Sequence, residues 1–265
     1  MAEKLKIIYS VDPDASALAR RAAQYFAEKC AAAAAERGRA RIAISGGSTP
    51  RAAFSLLGDP AQPWRAQMPW GKLDLWWVDE RCVPLDHPDS NYRMTREALL
   101  SKVPLKPEQI HRIEGELDPA EAAARYELEL RNGFRLNNGE LPRFDLLQLG
   151  MGPDGHTASL FPYTSALHES CRLVTANHVE TVKDSWRVTL TLPVLNNAAE
   201  VFFLIGGPDK ARILHEVLLG SLDPERLPSQ MIAPAGGILT LLLDQGAAAL
   251  LPAEGEGGMG TIERI

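Results

Sequence analysis

Cysteine is scarce in this 265-residue chain: Cys30, Cys82 and Cys171, with no C-x-x-C pair among them. An odd, scattered set argues against a disulfide framework and leads us to expect a reducing, cytoplasmic setting. Long apolar runs are missing as well. None reaches the roughly 18 residues of a membrane span, and the opening MAEKLKIIYSVDPDAS has no apolar core of a secretion signal. Positive charge is in deficit, with 28 Lys and Arg against 34 Asp and Glu and a net charge of -6. No broad basic field is therefore expected to hold nucleic acid, and an anionic ligand needs a local cluster of Arg or Lys. The six histidines show no H-E-x-x-H spacing, and the SGGSTP turn at 45–50 is neither a Walker A loop nor a G-x-G-x-x-G fingerprint, because the Lys and the glycine spacing are missing there. The G-x-S-x-G elbow of a serine nucleophile is also missing.

What remains is an ordinary globular composition, 45% hydrophobic and 23% charged, in a chain long enough to bury a substantial core. Short β-rich segments alternate with helical ones. Strands are expected near 5–11, 41–44, 73–78, 144–149, 186–192, 201–205 and 238–243. Helices are expected over 15–37, from about 51 to 57, over 91–100, over 119–134 and over 211–219. An acid or serine precedes several of them, as at Asp14, Ser90 and Asp118, with Pro119 at a first helical position. Alternation of this kind implies parallel pairing with right-handed crossovers. We expect one α/β domain over residues 1–252 and a mobile Gly-rich tail over 253–265.

Four turns carry the chemistry. The stretch LGMGPDGHTASLFP at 149–162 follows an apolar strand and holds three glycines, Asp154 and His156. An acid two residues before a histidine suggests a base beside its orienting carboxylate, and the plainer alternative is a strand-to-helix turn in which Asp154 binds a loop amide. TASLF at 157–161 looks helical. SGGSTP at 45–50 places Gly46 and Gly47 between a strand and a helix start, where backbone N–H groups and the hydroxyls of Ser48 and Thr49 can cradle an anion. Its alternative is a tight turn with a hydroxyl cap. DERCVP at 79–84 brings Asp79, Glu80 and Arg81 off a strand end together. Arg81 offers a forked donor for an anion, unless the three form only a surface ion pair. Lys210, in IGGPDKA at 205–211, opposes the dipole of the helix it begins, which suggests a compensating anion; its alternative is a merely exposed lysine.

These turns, with SNYRM at 90–94 and RVTLTLPVLNNA at 187–198, occur in one order along the chain. Together they resemble the 6-phosphogluconolactonases of the glucosamine-6-phosphate isomerase/6-phosphogluconolactonase family. The resemblance implies an α/β fold: a Rossmann-like, mostly parallel sheet flanked by helices, related to glucosamine-6-phosphate deaminases and ribose-5-phosphate isomerases. It implies no metal and no nucleotide cofactor. The implied partner is a small sugar-phosphate lactone, with no nucleic acid and no membrane, and the implied reaction is hydrolysis of 6-phospho-D-glucono-1,5-lactone. Deaminases continue the histidine turn as H-I-A-F-N-E-P. Here it runs HTASLFP, with Phe161 where an acid would stand, which favours the lactonase. His156 is then the expected general base, oriented by Asp154. Gly46 and Gly47 offer N–H groups to the oxyanion. Arg81, Arg187 and Lys210 bind phosphate with help from Ser48 and Thr49, and Asp79 orients hydroxyls or water. The alternatives are a glucosamine-6-phosphate deaminase or isomerase, and a non-enzymatic sugar-phosphate sensor.

Overall fold

A computed structural model describes residues 5–236 and 238–265. The first half runs β1 (Leu5–Asp12), α1 (Ala15–Arg37), β2 (Ala40–Ile44), α2 (Ser48–Gly58), α3 (Pro63–Gln67), β3 (Leu73–Trp77), β4 (Asp79–Arg81), α4 (Asn91–Ala98), β5 (Ile110–His111) and α5 (Pro119–Phe134). The second half runs β6 (Leu146–Leu149), β7 (Val174–His178), β8 (Trp186–Leu190), α6 (Leu192–Asn196), β9 (Val201–Ile205), α7 (Ala211–Leu219), β10 (Ile238–Asp244), β11 (Glu254–Glu256) and β12 (Gly260–Arg264). Among the described residues these make a nine-stranded sheet, ordered β11-β12-β1-β10-β9-β6-β2-β3-β5. Its pairings are parallel except that of β11 with β12.

Both faces of the sheet are covered, and β3 shows how the sequence arranges it. Neighbouring side chains on a strand point to opposite faces. Trp76 meets Tyr126 and Phe134 of α5, while Trp77 meets Tyr92 of α4. Both tryptophans are buried, so this strand carries no polar alternation. Helix boundaries follow local chemistry. The Asp14 carboxylate accepts the Ala17 N–H and Gly38 closes α1 at φ 77°. Asp118 caps α5 by accepting from Ala120 and Glu121. That helix is closed by left-handed Arg135 (φ 55°), earlier than the Asn-Asn-Gly stretch at 137–139.

The order places the site. From β2 the chain steps outward to β3 and β5, then returns to β6 and steps the other way to β9 and β10, beside which β1 already lies. The turns after β2 and β6 therefore diverge, leaving a crevice at the carboxyl edge, where parallel sheets of this kind bind ligands. The four turns singled out above follow β2, β3, β6 and β9, which are adjacent in the sheet.

The structure differs from the sequence reading in three places. The DERCVP stretch, read as a turn leaving the strand end, begins with β4, which turns away from β3 and joins a separate antiparallel sheet ordered β4-β8-β7. The phenol of Tyr126 takes over at the divergence, bonding both the N–H and the carbonyl of Trp77. The 157–161 stretch is not helical, because neighbours claim its backbone: Ser159 N–H donates to Thr189 and its carbonyl accepts from Asn177. Finally, the tail expected to be mobile forms β11 and β12. β12 pairs in parallel with β1 and buries Met259 and Ile262. Its glycines serve close approach. A Cβ on Gly257 would lie 2.2 Å from the Leu218 carbonyl oxygen, and one on Gly260 (φ +153°) would lie 2.1 Å from that of Leu5.

Candidate active site

At the crevice lies a cleft of about 220 Å³. One wall is the turn after β2. Gly47 takes φ 121° and precedes α2 without a side-chain cap, so the helix starts at Ser48 and leaves its first N–H groups open toward the cleft. Uncapped N–H groups and the helix dipole together favour an anion. Gly46, Gly47, Ser48 and Thr49 all line this wall. Gly46 also leaves room for Asn91: a Cβ there would sit 1.8 Å from its Oδ1.

The small antiparallel sheet positions the next wall. It brings Asp79 and Arg81 to the cleft. The Asp79 carboxylate accepts the Ser159 hydroxyl at 2.7 Å, and the Arg81 guanidinium donates to the Asp89 carbonyl at 2.5 Å. Arg187 lies directly across the strand pair from Arg81. It is not part of the cleft lining. Its guanidinium donates to the Trp186 and Lys183 carbonyls, each at 3.0 Å, and the residue is 7% exposed. Burial first, and then the charge of Arg81, lower its pKa. Two guanidiniums held this close are a local positive field in a chain whose net charge is negative. Lys210 reaches the cleft from the turn after β9, and its amine lies 3.5 Å from Asp209. The turn itself is pinned by Asp244, which accepts the Gly207 N–H.

The turn after β6 supplies the titratable pair. Nδ1 of His156 lies 2.5 Å from Oδ1 of Asp154. A carboxylate only accepts, so Nδ1 carries the proton and Nε2 is the free, basic nitrogen. Burial alone raises the Asp154 carboxyl, but the hydrogen bonds and charge of His156 outweigh it and hold the group below its ordinary value. The same oxygen also accepts the His156 amide at 3.2 Å, so ring pairing and loop-amide binding, posed as alternatives, coexist. Gly152 allows the ring to fold back, since a Cβ there would lie 2.1 Å from its Nδ1. Phe161 stacks on the imidazole, with centroids 3.9 Å apart at 24°.

Of the expected residues, Gly46, Gly47, Ser48, Thr49, Asp79, Arg81, His156 and Lys210 share the cleft. Asp154 backs His156, and Arg187 backs Arg81. Sequence reasoning missed Asn91, Met151 and Ala158 in the lining, together with Ser159 and the stacking of Phe161. Asn91 and Ser159 do fall within the quoted SNYRM and HTAS stretches, which was the available signal. Among the described residues, His87, Asp89 and Asp184 are close enough together to hold a metal ion, but Lys183 already occupies that cluster, 3.3 Å from Asp89.

A doubly covered parallel sheet with an anion cradle, basic side chains and a paired histidine at its switch point defines an α/β protein built to bind a small anionic substrate. Comparison with known proteins narrows the class. The family model for glucosamine-6-phosphate isomerases/6-phosphogluconolactonase matches residues 13–241. A 6-phosphogluconolactonase of Synechocystis sp. is 42% identical over 83% of this chain and 88% of its own length. One from Nostoc sp. is 40% identical over 93% of this chain and 99% of its own. The solved 6-phosphogluconolactonase of Trypanosoma cruzi superposes with a TM-score of 0.79 at 29% identity, covering 95% of this chain and 98% of that one. The chain belongs to the glucosamine-6-phosphate isomerase/6-phosphogluconolactonase family.

Proposed function

We propose that this protein hydrolyses 6-phospho-D-glucono-1,5-lactone to 6-phospho-D-gluconate, the lactone-opening step of the oxidative pentose phosphate pathway, in the cytoplasm. The observation that carries the reading is the His156–Asp154 pair, its Nε2 free, in the same cleft as Arg81, Lys210 and the open end of α2. Arg81, Lys210 and the hydroxyls of Ser48 and Thr49 hold the substrate phosphate, and Arg187 reinforces the field behind Arg81. This anchoring makes attack on the lactone effectively intramolecular.

Nε2 of His156 takes a proton from water as the water oxygen bonds to the lactone carbonyl carbon. The charge that develops on the carbonyl oxygen faces the N–H groups of the Gly46–Gly47 turn. Asp154 stabilises the imidazolium without taking the proton. On collapse the ring C–O bond breaks, and the imidazolium returns its proton to the departing alkoxide oxygen. The products are a carboxylic acid, which ionises, and a free hydroxyl. Phe161 occupies the place where a deaminase carries an acid and packs on the base instead, which supports hydrolysis over sugar isomerisation.

The test is a lactonase assay at slightly acidic pH, where spontaneous ring opening is slower and can be subtracted. His156→Ala is expected to lose about 10²- to 10⁴-fold in kcat. Near-normal turnover in the folded variant, or ammonia release from glucosamine 6-phosphate by the wild type, contradicts the reading.

A further inference from the structure

Glu80 is the member of the D-E-R triplet that the mechanism leaves unused. It is 3% exposed, and among the described residues it forms no ion pair. Both its carboxylate oxygens are occupied by donors from two segments. Oε1 accepts the N–H groups of Arg81 at 2.8 Å and Asn91 at 2.7 Å. Oε2 accepts the Tyr92 N–H at 2.8 Å and the Ser90 hydroxyl at 3.1 Å. The link continues to the cleft through Asn91. Its Nδ2 donates to the Asp79 carbonyl at 3.0 Å, and its Oδ1 rests against Gly46, where no side chain fits.

We infer that Glu80 is a positioning residue: its buried carboxylate fixes Arg81 and Asn91 and, through Asn91, the Gly46 turn, in the geometry that receives the substrate's anionic group. Part of its role is to cap helix α4: the Ser90 hydroxyl accepts only the Arg93 N–H, at 3.0 Å, and Glu80 takes the Asn91 and Tyr92 N–H groups ahead of it. Capping alone does not call for its further bond to the N–H of Arg81, the residue that reaches the cleft. A buried carboxylate is also a costly way to fill space. Burial lifts its carboxyl to about 7 even though three N–H groups pull the other way. What a carboxylate offers is several strong acceptor sites in one plane, enough to tie the strand that bears Arg81 to the helix start that bears Asn91.

The inference rests on the reading that Arg81 and the 46–49 turn hold the substrate phosphate. Steady-state kinetics on the phosphorylated lactone with Glu80→Gln, Asn91→Ala and the double variant test it. The amide of Glu80→Gln turns one acceptor into a donor facing other donors. Because misplacement by a fraction of an ångström weakens oriented, charge-assisted contacts, KM is expected to rise about tenfold with kcat within about threefold. Asn91→Ala is expected to raise KM similarly. The double variant should be no worse than the poorer single one, because the effect passes along one path. A folded Glu80→Gln with wild-type KM overturns the inference, as do effects of the two substitutions that multiply. Should Glu80→Gln fail to fold, Asn91→Ala decides alone, and an unchanged KM there overturns it. A wild-type protein without lactonase activity would refute the reaction itself, which is a separate outcome.

Discussion

His156 owes its chemistry to three contacts that a linear reading sees only in part. Asp154 selects the tautomer, Gly152 leaves room for the ring, and Phe161 stacks on it. In the sequence Phe161 mattered as a missing acid. In the structure it is a plate stacked on the His156 ring. Such contacts are worth about 0.5–1.5 kcal/mol, so Phe161→Leu, which retains apolar bulk but loses the plane, should lower kcat up to roughly tenfold. KM should stay within about twofold, and Phe161→Tyr should restore turnover. Steady-state kinetics of the two variants check this, and equal kcat in Phe161→Leu and wild type would deny the aromatic plane any part. Arg187 teaches the opposite lesson. Its match to a phosphate-binding arginine was readable, but its placement behind Arg81 depends on the pairing of β4 with β8.

Among the elements, the tail departs most from expectation. GEGGMG has the composition of a mobile segment, yet its glycines let β11 and β12 press against α7 and β1. Composition could not distinguish the two, because glycine serves both flexibility and close backbone approach. Removing residues 253–265 would strip β1 of an edge partner and expose Ile7 beside the lost Met259 and Ile262. Each buried apolar side chain contributes about 1.5–3 kcal/mol, and 1 kcal/mol shifts Tm by about 2–4 °C in a chain of this size. The truncated protein, having lost two such side chains, should therefore melt roughly 6–24 °C lower. Its kcat/KM below the transition should be unchanged, because β12 and β1 lie several strands from the β2–β6 crevice. Calorimetry and kinetics on one preparation check both parts, and an unchanged Tm would mean that the tail adds nothing to the sheet.

For the molecule as a whole, the central electrostatic fact is a small positive region inside a protein of net charge -6. The guanidiniums of Arg81 and Arg187 each donate to backbone carbonyls, with the charges of Asp79 and Asp184 offsetting part of their repulsion, and Lys210 and the α2 terminus face the same space. An anion relieves this repulsion only in the folded state, so it should stabilise the fold by mass action. At a concentration about a hundred times its dissociation constant, 6-phosphogluconate should add roughly 2.7 kcal/mol. A thermal shift titration is expected to raise the Tm of the wild type, and to do so less as ionic strength rises. Arg81→Ala should abolish most of the shift. An equal shift with unphosphorylated gluconate would remove the phosphate clamp from the account.

Much of this protein is legible one residue at a time. Seven of the strands, the main helices with their caps at Asp14, Ser90 and Asp118, and the four chemical turns follow from periodicity and local hydrogen bonding, which act within a few residues. The parallel class follows too, because alternating strands and helices have few other ways to pack. Only the tertiary structure decided that β4 leaves the main sheet, that 157–161 gives its backbone to Thr189 and Asn177 instead of to a helix, and that Glu80 is buried with four donors around it. It alone decided that β9, β6, β2 and β3 are adjacent, which gathers His156, Arg81, Lys210 and the Gly46 turn at one cleft. These outcomes depend on pairing between segments tens of residues apart, where the stabilising partner of a backbone or carboxylate group lies outside any local window of sequence.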